Sequence, residues 1–352
     1  MKPNNELRKV RKAHKLDMPV LISYLQDRMD VSGKLTIQQF SFGQSNPTYL
    51  LQDRNKAYVL RKKPPGKLLP SAHAVEREYR ILKILEKTDV PVPKMVLLCN
   101  DVAVIGTPFY IMEHVEGRIF RNPTLPDMTS PKERFAVYDA MNDTLARIHR
   151  VDWQAMGLED YGKPGNYMTR QVGKWSKQYM VSKTDPIQSM DNLMEWLPQN
   201  IPDDDRTTIV HGDFRLENMI FHPSESKVVA VLDWELSTLG HPLADLAYNC
   251  MSYYLPSMGS RTFGISDVNF ETTGIPTEAA YTAAYCHRTQ RKDIPNWSFF
   301  MAFGMFRLAA IVQGVYKRGL DGNASAADAQ SFGILVHFLS DAGWNLIKQE
   351  SS

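Results

Sequence analysis

The chain has 352 residues, a formal charge of +2 and 23% charged side chains. That length can build two packed lobes, each with its own core. So small a net charge gives no field that would select nucleic acid or an anionic membrane as a partner. The mean hydropathy is negative, and the longest apolar stretch, which starts at Trp297, carries Arg307 and Gln313 in its middle. We therefore expect that stretch to be a buried core helix and not a membrane span.

The cysteines and the N-terminal residues indicate a cellular compartment. Cys99, Cys250 and Cys286 are far apart, odd in number and without CxxC spacing, so neither a disulfide framework nor a zinc site is predicted. MKPNNELRKVRKAHK has no apolar core after its charges, so no secretory signal is expected. We predict a cytoplasmic protein with reduced thiols.

The first part of the chain is rich in predicted strands. After a helical piece, MPVLISYLQDRM, the runs LTIQQFSF and TYLLQ are separated by the turn-like GQSNP, which predicts a hairpin. AYVLRK, VPKMVLLC and PFYIMEHV supply further strands. SAHAVEREYRILKILEK has apolar residues at helical spacing, with Ser71 available as the N-cap. We predict a first lobe over residues 1–115 that contains a small sheet and a single helix after the leading one.

From about residue 122 the pattern becomes helical. PKERFAVYDAMNDTLARIHRVD places its apolar residues on one face, with Pro131 suited to the first turn. Further helices are predicted near residues 168–181, 187–197, 277–288, 297–318 and 326–347. Only TIVH, NMIF and KVVAVLD look like strands in this half. The fold class is therefore α+β, with a mainly helical second lobe over residues 116–352.

Two short basic runs stand out in the first lobe. RKVRKAHK, from Arg8, is expected to be a solvated helix face. RKKPPGK, from Arg61, follows a predicted strand.

Polar side chains lie at the ends of the strand-like pieces in the second half. In IVHGDFRLENMIFH, Asp213 and Asn218 lie in a polar run between two apolar pieces, and in VVAVLDWE, Asp233 ends another β-branched run. Phosphoryl transfer from a nucleotide needs a carboxylate for the hydroxyl proton and oxygen ligands for Mg²⁺. Because order and spacing fit those needs, we predict one site, with Asp213 as the proton acceptor and Asn218 and Asp233 as metal ligands.

The pattern HGD-x-x-x-x-N, followed by a strand that ends in D-W-E, resembles the aminoglycoside phosphotransferase and choline kinase group of small-molecule kinases. The runs LDWELSTLGHPLADLAYN, YVLRKKPPG and EREYRIL are most similar to kinase-like domains found alone in bacteria or fused ahead of acyl-CoA dehydrogenases. The resemblance extends from about residue 35 to past Arg318. It implies a protein-kinase-like two-lobe fold and the transfer of the γ-phosphate of ATP, with Mg²⁺, to a hydroxyl group of a small molecule.

The resemblance also implies roles for residues of the first lobe. FGQSN, which ends with Ser45 and Asn46, takes the place of the loop that covers the phosphates. Arg61 occupies the position of a phosphate-pairing lysine; its planar fork differs from the point charge of lysine, but it remains a cation with donors for phosphate oxygens. Its ion-pair partner would be Glu78, or else Glu76. The alternative for Glu78 is a plain exposed helical glutamate.

Backbone groups near Glu113 to Val115 are expected to meet the adenine edge. In the second lobe, His211 is expected to position the loop and Asp245 to accept backbone N–H bonds from it. Glu235 could reach a second metal or the substrate, or simply cap its loop. Only eleven residues separate Asp233 from Asp245, so no activation loop fits between them and a protein substrate is disfavoured.

The acceptor defines the competing functions. A polycationic aminoglycoside would need an acidic pocket, and Asp203-Asp204-Asp205 is more simply a solvated turn. The similarity to dehydrogenase-linked domains favours a hydroxylated acyl or acyl-CoA metabolite. A nucleotide-binding pseudokinase that acts as an interaction module is the alternative from another class, supported by Arg61 and the glycine-poor loop. The sequence carries no signal for an oligomeric state.

Overall fold

The computed structural model describes residues 7–32, 34–41, 46–54, 56–64, 74–258, 261–262, 264–321 and 329–350. Its strands are β1 (Leu7–Arg8), β2 (Thr36–Phe40), β3 (Thr48–Asp53), β4 (Lys56–Lys62), β5 (Met95–Cys99), β6 (Phe109–Glu113), β7 (Thr208–Val210), β8 (Met219–Phe221), β9 (Val228–Val231), β10 (Thr238–Gly240), β11 (Ser257–Met258) and β12 (Arg261–Thr262). Its α-helices are α1 (Met18–Gln26), α2 (Val75–Leu85), α3 (Val102–Ile105), α4 (Pro131–Arg150), α5 (Tyr167–Ser182), α6 (Gln188–Gln199), α7 (Pro242–Cys250), α8 (Phe270–Thr273), α9 (Glu278–Thr289), α10 (Trp297–Leu320) and α11 (Ala329–Glu350).

The chain divides into two compact units, of which the first comprises Met1–Arg118 with Met219–Glu235. Its antiparallel sheet has the order β1-β2-β3-β4-β6-β5. One face of the sheet packs on α1 and α3 through buried apolar side chains, and α2 packs on β5 and β6. Burial of these side chains is the main stabilising contribution in such a small unit.

The β8–β9 hairpin belongs to the first unit because its hydrogen bonds tie it there. Phe221 and Arg118 exchange two backbone bonds of 2.8 Å, and Val231 N–H donates to the Pro91 carbonyl at 2.8 Å. A Cβ at Gly117 would lie 2.2 Å from the Phe221 oxygen, so only glycine permits this approach. The predicted division after residue 115 assigns the hairpin to the second lobe, and the compact units differ from it in residues 116–118 and 219–235.

The second unit comprises Ile119–Asn218 with Leu236–Ser352 and is mainly helical. The long helix α10 packs against α5, α6, α7 and α11. By length and composition alone α10 could cross a membrane, but 78% of its apolar window is buried inside the protein. It is the core helix that its central Arg307 and Gln313 predict.

The α+β class, the small antiparallel sheet and the helical remainder are as the sequence predicts. Three local predictions are wrong. The run RKVRKAHK forms no α-helix: it contains the end of β1, which pairs with β2, and a 3-10 turn at Lys12–His14. Ser71 lies outside the described residues, and α2 begins after Ala74 without a side-chain cap. The third is the strand content of the second half, which includes β10, β11 and β12 besides the three predicted strands. The helix α7 is not predicted at all, because it has only nine residues and eight of them are buried.

Candidate active site

In the first unit, Arg61 lies at the centre of a group of three carboxylates. Its Nε is 3.1 Å from Glu78 Oε2, and its Nη2 is 2.5 Å from Asp233 Oδ1 and 3.4 Å from Glu235 Oε2. The side chain of Glu78 is only 1% exposed, so the alternative of an exposed helical glutamate is wrong. Glu76 pairs instead with Lys63 at 2.7 Å.

Charge in this group is unbalanced. Burial raises the pKa of Glu78 to about 7, and the charges of Asp233 and Glu235 raise it while Arg61 lowers it. Although burial acts against the Arg61 charge, Glu78 and Asp233 raise its pKa well above the ordinary value, so Arg61 is a permanent cation. Three carboxylates around one guanidinium leave excess negative charge, and a divalent cation bound by hard oxygen ligands would neutralise it.

Asp233 lies two residues after the end of β9, with φ of 64°. A non-glycine residue in this left-handed region is strained, and such strain gathers at functional sites. The side chain remains 30% exposed, which leaves it accessible to an ion.

The residues predicted for phosphate and adenine contacts occupy different parts of the first unit. Asn46 is buried and donates to Glu235 Oε2 at 3.2 Å, while Ser45 lies outside the described residues. Glu113 ends β6, and its N–H donates to the Lys94 carbonyl at 2.9 Å. The strand β6 ends at Glu113, so Val115 lies two residues beyond it.

In the second unit, the loop between β7 and Asn218 holds Asp213. Tyr248 donates to Asp213 Oδ1 at 2.6 Å, and Asn218 Nδ2 donates to Oδ2 at 2.9 Å and to the Asp213 carbonyl at 2.8 Å. Arg215 Nε lies 3.3 Å from Oδ1. Because its amide nitrogen is used in this way, Asn218 has its amide oxygen left as an acceptor, and an amide oxygen suits Mg²⁺.

The backbone of this loop is fixed by Asp245 of α7. Its carboxylate accepts the N–H groups of His211 at 2.5 Å and of Gly212 at 2.8 Å. Burial would raise the pKa of Asp245, but bonds and charges from His149, His211 and Gly212 hold it below its usual range. The predicted supporting role of Asp245 is confirmed. So is that of His211, which is fully buried and accepts the Asp213 N–H at 3.2 Å.

Gly212 is required where it stands. Its φ is +84°, and a Cβ would come within 2.8 Å of the Leu236 oxygen. Its carbonyl accepts a buried hydrogen bond of 2.7 Å from Arg307 Nη2. The Arg307 guanidinium lies 5.6 Å from the ring centroid of Trp175 and 5.3 Å from that of Tyr248, so a cation held by two rings supports the turn.

Two residues of this arrangement, Tyr248 and Arg307, are not predicted from the sequence. Tyr248 stands three residues after Asp245 in α7, on the same helix face. Arg307 is a charge inside an apolar helix, which needs a buried polar partner. The position of Tyr248 and the isolated charge of Arg307 can both be read from the sequence, but neither predicts which group the side chain contacts.

The acidic run at residues 203–205 is only partly a solvated turn. Asp204 is 17% exposed and pairs with Arg206 at 2.9 Å, with Arg291 at 3.2 Å and with His241 at 3.5 Å. The prediction of a solvated turn is therefore wrong for Asp204, because two arginines and a buried histidine surround it.

Comparison with known proteins identifies the fold and the family. Residues 36–285 match the Phosphotransferase enzyme family. Acyl-CoA dehydrogenase family member 10 of Mus musculus is 49% identical over 345 residues, which are 97% of this chain and 32% of that protein. The chain spans about a third to a half of the length of the curated relatives it matches.

Solved structures agree with that match. A Ralstonia eutropha protein that has been assigned as an aminoglycoside phosphotransferase is 47% identical, with a TM-score of 0.87 over 95% of this chain and 99% of that one. Choline kinase from Cryptosporidium parvum shares the fold at 11% identity, with a TM-score of 0.67 over 95% and 97% of the two chains. Aminoglycoside phosphotransferase APH(4)-Ia, solved in ternary complex with ADP and hygromycin B, shares it at 14% identity, with a TM-score of 0.60 over 93% and 98%. The chain therefore has the kinase-like fold and belongs to the Phosphotransferase enzyme family.

Proposed function

We propose that this chain transfers the γ-phosphate of ATP to a hydroxyl group of a small molecule, with Mg²⁺ as cofactor, and that the acceptor is a hydroxylated acyl or acyl-CoA metabolite. The observation that carries the proposal is the Asp213 carboxylate, oriented on one oxygen by Tyr248 and on the other by Asn218. Family membership supports a phosphotransferase, and a fold relative has been solved with ADP.

Asp213 is proposed as the proton acceptor. Each carboxylate oxygen has two lone-pair positions, so the bonds from Tyr248 and Asn218 leave room for an acceptor hydroxyl. As the hydroxyl oxygen bonds to the γ-phosphorus, the bond between that phosphorus and the oxygen that bridges the β- and γ-phosphates breaks. ADP leaves with the electron pair of that bond. The hydroxyl proton passes to Asp213.

Asn218 and Asp233 are proposed as the metal ligands. Asn218 directly precedes β8 and Asp233 directly follows Leu232 after β9, and Met219 pairs with Val231 in the hairpin. The pairing supports the proposal, because Asn218 precedes β8 at the end of the hairpin where the chain leaves β9 toward Asp233. When bound, Mg²⁺ would neutralise phosphate charge.

Arg61 is proposed to donate to a phosphate oxygen. Its Nε and Nη2 face carboxylates, and among the described residues none accepts a bond from Nη1, which is the group left for phosphate. Asn46 and Ser45 remain candidates for the loop over the phosphates. Glu113 and Val115 remain candidates for the adenine edge.

The charges around Asp213 favour an anionic or neutral acceptor over a polycation. Arg215 and the buried Arg307 lie beside the Asp213 loop, and Lys174 lies 5.0 Å from the Trp175 ring that Arg307 also contacts. Burial lowers the pKa of Lys174, and the Arg307 charge lowers it further, so an anion near this group would be favourable. The name of the mouse relative, an acyl-CoA dehydrogenase family member, also favours an acyl acceptor.

An aminoglycoside acceptor is the weaker candidate. The acidic residues 203–205 line an open pocket of about 380 Å³, but they precede β7 whereas Asp213 follows it. That three-residue strand alone spans roughly 10 Å. Arginine partners also offset the charge of Asp204.

Asp213→Asn tests the function. ATP consumption is measured with a panel of hydroxy acids, hydroxyacyl-CoA molecules and aminoglycosides, and the phosphorylated product is identified by mass. We expect transfer to a hydroxyacyl compound, and a loss of about 10²–10⁴-fold in kcat for Asp213→Asn with unchanged ATP binding. Asp203→Asn, which removes an exposed carboxylate of the same unit, should behave as wild type.

The same experiment separates the alternatives. ATP binding in wild type and Asp213→Asn, without turnover in either, would indicate an interaction module. Transfer to aminoglycosides alone would refute the acyl acceptor. Full transfer by Asp213→Asn would refute the assigned role of Asp213.

A further inference from the structure

The two basic runs of the first unit meet on one face of its sheet. Arg8 of β1 pairs with Gln39 of β2, Gln39 with Tyr49 of β3, and Tyr49 with Leu60 of β4. Residues paired in this way share a face, and so do residues two positions apart along one strand. Lys62, two residues after Leu60, therefore stands on the same face as Arg8.

This face is opposite to the one that carries Arg61. Lys62 pairs with Phe109, which belongs to the core covered by α1, whereas Arg61 pairs with Tyr110. Successive side chains of a strand point to opposite faces. The basic face is therefore separate from the Arg61 carboxylate group.

The turn at Lys12–His14 brings one more cation, Arg11, and the imidazole of His14 over this face. Arg11 N–H donates to Gln39 Oε1 at 3.1 Å, and the Gln39 amide nitrogen lies 2.9 Å from His14 Nδ1. Tyr49 donates its hydroxyl to the His14 carbonyl at 2.8 Å. Burial lowers the pKa of His14, and the charges of Arg11, Lys62 and Arg8 each lower it further, so the imidazole lies within the field of all three cations.

Lys62 has a charge but no countercharge in this environment. The residue is 6% exposed, and in the part of the chain that the structure describes no carboxylate lies within ion-pair distance of its ammonium group. Arg8 Nε is likewise buried without a hydrogen-bond partner there. A buried cation without an anion is costly, and a bound anion would remove that cost.

We propose that Arg8, Arg11, His14 and Lys62 form a binding site for the phosphate group of a small molecule, separate from the nucleotide residues. A tetrahedral oxyanion with two charges can accept bonds from several cationic donors at once. A membrane surface or a nucleic acid backbone would need exposed cations, whereas Lys62 is almost fully buried. The phosphate could be free phosphate or a phosphate monoester of a metabolite.

Thermal unfolding and titration calorimetry test the proposal. Inorganic phosphate and adenosine 3′,5′-bisphosphate are added to wild type, Lys62→Met, Arg61→Met and Lys34→Met at constant ionic strength set with chloride. We expect both probes to raise the Tm of wild type and of the exposed control Lys34→Met. A response to the bisphosphate alone would identify the monoester as the source, and a response to inorganic phosphate alone would identify free phosphate.

Lys62→Met should lose the phosphate response, with affinity weaker by about tenfold or more. Without phosphate its Tm should exceed that of wild type, because methionine removes an unpaired buried charge at similar volume. Arg61→Met should keep a phosphate response. The proposal is overturned by an unchanged response in Lys62→Met, by an equal effect of chloride, by loss of the response in Arg61→Met alone, or by a lower unliganded Tm in Lys62→Met.

Discussion

At the scale of residues, Arg61 stands where the resemblance to small-molecule kinases implies a lysine, and three carboxylates surround it. Lysine would offer one compact charge, whereas the guanidinium contacts Glu78, Asp233 and Glu235 at the same time. A planar fork with several donors can hold two carboxylates and still have a donor left for phosphate. The substitution is therefore compatible with the proposed phosphate contact.

Glu78 gives a pH prediction at this scale. Its pKa is raised from 4.5 to about 7 in the folded protein, chiefly by burial. The folded state therefore holds a proton that the unfolded state releases, so the contribution of Glu78 to stability is full below pH 4.5 and is lost as the pH rises through about 7. Glu78→Gln should remove this fall, as measured by denaturant unfolding across that range.

The matched control is Glu76→Gln on the same helix. Glu76 is 35% exposed and pairs with Lys63, so its removal should leave the pH dependence as in wild type. An unchanged fall of stability with pH in Glu78→Gln would show that another group is responsible.

Local chemistry in the sequence predicts these residues better than it predicts their partners. The spacing of Asp213, Asn218 and Asp233 fits a known chemical need, and the resemblance to small-molecule kinases implies Glu78, or else Glu76, as the partner of Arg61; the structure shows the pair with Glu78. Tyr248 cannot be assigned to Asp213 in the same way, because their contact depends on how α7 packs against the loop 35 residues earlier.

At the scale of elements, α7 and α10 hold the Asp213 loop from two sides. Asp245 and Tyr248 of α7 bind the loop backbone and the Asp213 carboxylate, and Arg307 of α10 binds the Gly212 carbonyl. Rigid helices hold a site more accurately than a loop alone. The loop is therefore ordered by its neighbours more than by its own sequence.

Arg307→Met tests this support. The variant loses a buried charged hydrogen bond, worth about 1.5–3 kcal/mol, and its contacts with two rings. We expect kcat to fall roughly 10- to 100-fold while the KM for ATP stays unchanged, since the proposed nucleotide residues lie in the other unit. Steady-state kinetics with saturating acceptor measures both values.

Arg307→Lys should recover part of the loss because it keeps the charge. Arg318→Met, which replaces an exposed residue of the same helix, should leave kcat and the KM for ATP unchanged. Equal kcat values in wild type and Arg307→Met would mean that the loop needs no support from α10.

The spacing of apolar residues predicts helices and strands well where it is regular. It predicts them poorly where an element is very short or is buried on all sides. The strands of the small sheet and the long amphipathic helices are found by their spacing. The three-residue strand β10 and the helix α7 are missed, since β10 is too short for a pattern and α7 is a nine-residue helix whose polar Asp245 and Asn249 are buried with its apolar residues. The basic run from Arg8 is assigned to a helix because its charges hide its pairing with β2.

At the scale of the whole molecule, the proposed roles divide between the two units. Arg61, Glu78 and Asp233 belong to the first unit, and Asp213 and Asn218 to the second. Substitution of Arg61, Glu78 or Asp233 should weaken the binding of nucleotide and metal, and substitution of Asp213 should lower the rate of phosphoryl transfer. The length of the chain predicts two packed lobes, but membership of the β8–β9 hairpin in the first unit follows from hydrogen bonds that no sequence pattern reveals.

The central claim is that Asn218 and Asp233 bind the divalent cation that accompanies ATP. The most direct measurement is electron paramagnetic resonance of Mn²⁺, in place of Mg²⁺, with a non-hydrolysable ATP analogue. We predict one tightly bound ion in wild type and in Asp203→Asn, and marked weakening in Asn218→Ala and in Asp233→Ala. Wild-type affinity for Mn²⁺ in both alanine variants would contradict the claim.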